Sequence, residues 1–224
     1  MKRTIKTMAT LLAAPFALLF ANVTFADAER PNYNYVELDY VYSTADVNSD
    51  VLGSNVSSDA WYVPEGVALK ASFVLLDQLL LRGSYYTGEG KYKSTHDIEV
   101  SSFVASVGWL TPTTDATGID VSLDYRTDNL QHACCGKLDE DISGPGISIG
   151  LRAAPSEHIE IGLRTGWYEG DFEGAIAFGL NVAWNIGDHW GINASWDRID
   201  ADPKTPALSD YVLNQYALGG RFYF

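Results

Sequence analysis

Cysteine, basic residues and long apolar runs are all scarce in this chain, and each shortage removes a class of protein. The two cysteines, Cys134 and Cys135, are adjacent. Neighbouring Cα atoms sit about 3.8 Å apart, closer than relaxed disulfide geometry allows. They are free thiols, or they form a strained or intermolecular bond. Two sulfurs and four scattered histidines do not make a zinc site, so no metal or cofactor is expected. Lys and Arg number 15 against 29 Asp and Glu. No basic patch is present, and nucleic acid is excluded as a partner. After Phe20 no uncharged apolar run approaches the roughly 20 residues of a helical membrane span. No nucleophile elbow, phosphate loop or metal-helix motif occurs, so the chain is not read as an enzyme. His96–Asp97 is a neighbour pair with no second catalytic element.

The N-terminus has the form of a secretory signal. Lys2, Arg3 and Lys6 precede the apolar stretch from Met8 to Phe20, and Thr24-Phe25-Ala26 fits a small-x-small cleavage site. Residues 1–26 are therefore expected to be a signal peptide and 27–224 one mature domain. Removing the three leader cations leaves 12 basic against 29 acidic residues, a formal charge of −17.

The mature sequence alternates with a period of two in ten segments bounded by turn chemistry. Val36, Leu38, Tyr40 and Tyr42 oppose Glu37 and Asp39; Val67, Leu69, Ala71 and Phe73 oppose Lys70 and Ser72. The segment 97–110 is the least regular, because Val104 interrupts its polar set. Short connections are expected near 77, 111–114, 156 and 188, and long polar ones at 44–60, 89–96, 128–145 and 200–209. The connection at 169–174 is short where a long one is due. Short turns at one end and long loops at the other fit an antiparallel, up-and-down, all-β transmembrane barrel. Ten strands are expected, with eight as the alternative count.

A soluble carrier barrel would also alternate, and aromatic placement separates the two. Phe73, Trp109, Trp184, Trp190, Phe222 and Phe224 fall at the short-turn level. Tyr40, Tyr42, Tyr85, Tyr125, Trp167 and Trp196 fall at the other, with aliphatic residues between them. Two aromatic belts around an apolar band are what a bilayer selects, and a ligand pocket has no reason to sort them.

The last strand, Gln215 to Phe224, carries Tyr216, Leu218, Phe222 and Phe224 on one parity. It resembles the closing strand of Gram-negative outer-membrane β-barrels, which finish on Phe with aromatics at alternate positions. The resemblance implies outer-membrane localisation, contact with lipid and lipopolysaccharide, and recognition of those four residues by the barrel-assembly machinery.

With this facing, the lumen carries Lys70, Arg82, Arg126, Arg152, Arg164 and Arg221 against Glu37, Asp39, Asp120, Asp124, Glu160 and Asp197. Charges inside a barrel are costly unless paired or wet. The lumen is therefore a narrow wet passage or a salt-bridged plug. The first makes the protein a porin-like passive channel for ions or small solutes. The second makes it a non-conducting structural or surface-interaction barrel working through acidic extracellular loops. Those loops lack the spaced ligands of a dedicated calcium site.

Overall fold

A computed structural model describes residues 31–47, 61–62, 65–92, 96–132, 138–204 and 211–224. The segment expected to be a signal peptide and the side chains of His96, His132, Cys134 and Cys135 lie outside the described residues. The strands are β1 (Tyr35–Val47), β2 (Trp61–Tyr62), β3 (Glu65–Leu75), β4 (Leu79–Tyr92), β5 (His96–Thr114), β6 (Thr117–His132), β7 (Leu138–Ser156), β8 (Ile159–Tyr168), β9 (Phe172–Ile186), β10 (Trp190–Pro203) and β11 (Tyr211–Tyr223). Successive barrel strands pair antiparallel, and β11 pairs with β1 to close the sheet. β2 and β3 are two pieces of one barrel strand. Both lie on β1, with Asp46 opposite Trp61 and Tyr42 opposite Glu65, a single unbroken register. The barrel therefore has ten staves.

The alternating pattern decides the facing. Leu38, Tyr40, Leu69, Leu123, Trp184 and Leu218 are exposed on the outer wall, while Glu37, Asp39, Asp120 and Glu160 are buried within. Both aromatic levels stand on the outside, including Trp109, Trp190, Tyr125 and Trp167. An apolar face turned outward has no favourable partner in water, whereas hydrocarbon accepts it.

Several boundaries differ from the sequence reading, each for a physical reason. The expected loop 128–145 is mostly strand, since β6 runs to His132 and β7 begins at Leu138. β5 and β7 have 19 residues each, well beyond the ~9–11 that cross a bilayer. Past the membrane both faces of a strand are wet, so hydrophobic alternation stops while backbone pairing continues. The expected turn at 111–114 is still strand, with a register shift between Pro112 and Thr114 that accommodates the missing proline N–H. At the turn after β3, Gln78 N donates to Leu75 O at 3.3 Å. Leu76 (φ 52°) and Asp77 (φ 64°) occupy the left-handed region there, as a type I′ turn requires.

Tyr33 precedes the first strand. The segment Pro31–Asn34 is not strand; it folds across the short-turn mouth. Asn32 N donates to Glu160 Oε1 at 3.2 Å, and Asn34 Oδ1 accepts from Val74 N at 2.7 Å. The Tyr33 ring packs with Leu80 and Leu110.

Candidate functional site: the barrel lumen

Inward side chains form three levels along the barrel axis. The first holds the seam between β1 and β11. Glu37 accepts from Arg221 Nε at 2.7 Å and from Asn193 Nδ2 at 3.0 Å, and Lys70 Nζ lies 3.2 Å away. Arg221 Nη2 also donates to Asn193 Oδ1 at 3.0 Å, and its guanidinium lies 4.1 Å from the Tyr35 ring centre. Arg152 donates to Asn32 O at 3.0 Å and to Tyr35 Oη at 3.2 Å. Its guanidinium lies 4.7 Å from the Tyr33 ring centre. Glu160 is the more distant anion, 3.9 Å from Arg152 and 3.7 Å from Arg221.

At the middle level Lys70 pairs with Asp39 at 2.9 Å and donates to Ser195 Oγ at 3.0 Å, with Asp197 4.0 Å away. Arg82 pairs with Asp120 and donates to Ser122 Oγ at 2.8 Å. Arg164 Nη2 donates to Asp124 at 3.0 Å and to Ser148 Oγ at 2.6 Å. Small residues make this possible: a Cβ at Gly179 would sit 2.6 Å from Asp197 Oδ1. Toward the long loops, Arg126 Nε donates to Asp128 at 2.8 Å, and Tyr211 Oη donates to the same carboxylate at 3.1 Å.

The twelve lumen charges read from the sequence thus all point inward, and ten of them fall into pairs with one another. The exceptions are Arg126, whose partner is Asp128, and Asp197, which stays at the 4.0 Å limit. Asp128 falls at the start of the expected loop 128–145, although continuing the parity of Arg126 by two places it on the wall. Tyr35, Tyr168, Tyr211 and Asn193 also join the network, although none is among the twelve charges. Polar uncharged residues give no signal in a charge count, yet they supply the hydrogen bonds that join the pairs. The long-loop end also has an apolar inner cluster of Ile142, Tyr168, Phe172, Ile199 and Leu213. Alternation does not reveal it, because most of these residues lie in or beside the expected connections 128–145, 169–174 and 200–209.

Two contacts cross the whole lumen. In ring order β7 and β1 are five staves apart, and so are β6 and β11. Arg152 to Tyr35 therefore spans the diameter at the short-turn end, and Tyr211 to Asp128 spans it at the long-loop end. Between them lies a cavity of about 240 Å3. In most of the ion pairs around it the cation is the more accessible member, Lys70–Asp197 and Arg126–Asp128 excepted. Arg164 is 29% exposed against 0% for Asp124, and Lys70 is 23% exposed against 0% for Asp39. The acids are short and stay at the wall, while the longer cations reach toward the axis.

On the outer wall the closing strand forms an aromatic ladder. Phe224 lies 5.3 Å from Phe73, and Phe222 lies 5.0 Å from Trp190, centre to centre. Tyr42 and Tyr216 face each other across the seam at 6.4 Å.

This inside-out arrangement, with a closed even-numbered barrel, defines the outer-membrane type of β-barrel. Solved structures share the fold. The translocator domain of the autotransporter NalP from Neisseria meningitidis superposes with a TM-score of 0.51 at 14% identity, covering 98% of each chain. An outer-membrane channel from Pseudomonas putida F1 gives 0.51 at 12% identity, over 91% of this chain and 100% of that one. No protein-family model and no curated protein sequence matches the chain.

Proposed function

We propose that this protein is an integral outer-membrane barrel whose lumen is shut at rest, acting as a scaffold and surface-interaction protein. The observation that carries this reading is the pair of hydrogen bonds across the full diameter, one at each end. Buried charge that is fully paired is rigid, because separating one pair exposes two uncompensated ions. On this reading the lipid-facing belts contact the bilayer and lipopolysaccharide, and the long-loop end is the working surface. Tyr216, Leu218, Phe222 and Phe224 serve recognition by the assembly machinery, and residues 1–26 serve export as a cleaved signal. No catalytic step is assigned.

The test is conductance of the folded protein in a planar lipid bilayer. Wild type is expected to be silent, and Arg152→Ala combined with Tyr211→Phe to show openings. A steady wild-type current would overturn the closed reading. It would favour the second reading, a narrow passive channel for ions or small solutes, which the residual cavity supports.

A further inference from the structure

We infer that the central cavity is a binding site for a small anion, of the oxyanion or halide class. All six lumen cations border the cavity, but among the lumen carboxylates only Glu37, Asp120 and Asp197 do. The charges counterbalance in number, yet they do not counterbalance at the cavity surface. The acids Asp39 and Asp124 are fully buried behind their cations, at 0% side-chain exposure each. A solute in the cavity therefore meets guanidinium and ammonium groups first.

The hydrogen-bonding inventory points the same way. Arg82 Nε and Asn181 Nδ2 are buried donors with no partner among the described residues, and both residues line the cavity. A buried donor left unsatisfied carries a desolvation cost, which an acceptor in the cavity removes. Arg82 and Arg164 are like charges that repel, and both border the cavity, from β4 and β8. An anion between two such groups relieves that repulsion. The space, about 240 Å3, holds a phosphate-sized ion with some of its water, since one water occupies ~30 Å3. Of the three carboxylates at the cavity, Asp197 opposes anion entry most, with half its side chain exposed beside Lys70, whereas Glu37 and Asp120 are buried in their ion pairs.

The inference holds whether or not ions traverse the barrel. It is tested on the full folded chain in detergent, equilibrated with inorganic phosphate at constant ionic strength, with binding read by phosphorus NMR line broadening. Saturable broadening is expected. Arg164→Gln should weaken it about tenfold or more, the loss of one charge-assisted hydrogen bond. Asp197→Asn should strengthen it, and this variant keeps the test sharp if the arginine change prevents folding. Absence of saturable phosphate binding would overturn the inference. So would weaker or unchanged binding in Asp197→Asn, or saturation by calcium at the same cavity in place of phosphate.

Discussion

Replacing Glu37 by Ala tests how much of the barrel's stability resides in its closing seam. Glu37 is 1% exposed and holds three partners: Arg221, Asn193 and Lys70. Without it Lys70 keeps Asp39 at 2.9 Å. Arg221 has only Glu160 at 3.7 Å as a remaining anion, although Arg221 itself is 1% exposed. Breaking a buried pair by removing one member costs about 3–5 kcal/mol. The severed seam also joins the first and last barrel strands, which have no covalent connection near them. The expected loss therefore lies toward the upper end of that range. The measurement is urea unfolding of the protein in lipid vesicles, followed by tryptophan fluorescence and by mobility of the folded band in gels. Asp197→Ala is the internal comparison, since a half-exposed carboxylate 4.0 Å from its partner contributes no more than about 1 kcal/mol. If Glu37→Ala falls within that same margin of wild type, the seam network is not what closes the barrel.

Two further outcomes follow from the outer wall and the mouth. Ile149 is exposed between the aromatic belts, so Ile149→Arg should cost about 2–4 kcal/mol in vesicles, and an unchanged urea midpoint would remove the lipid from that face. Burial pushes the Tyr33 hydroxyl up to about 12, with nearby Arg152 acting in the opposite sense. The folded barrel therefore favours neutral Tyr33. Its contribution is intact below pH 10, the ordinary value, and is lost as pH rises from 10 to 12. Tyr33→Phe should flatten that part of the stability–pH curve relative to wild type; identical curves would place Tyr33 in water.

Much of the architecture was legible in the residues because a barrel stave has only two faces. Once Val36, Leu38, Tyr40 and Tyr42 share one parity and Glu37 and Asp39 the other, the ladder leaves no freedom in which set meets lipid. The stave count, the facing and the inward set of charges follow from that periodicity. The extent of the strands does not, because the pattern fades where both faces are wetted. Arg126 and Asp128 show this: the first lies in an expected strand and the second in an expected loop, yet they bond to each other.

Partnership inside the lumen was decided by the tertiary structure alone. Arg152 meets Tyr35, 117 positions away, only because the sheet closes with ten staves and a particular stagger. A different stagger would slide those levels past one another while leaving every local pattern untouched. Which charges pair, which tyrosines bridge the bore, and which side of each ion pair faces the cavity therefore depend on closure of the ring. Alternation along a single strand carries no information about what stands across the axis from it.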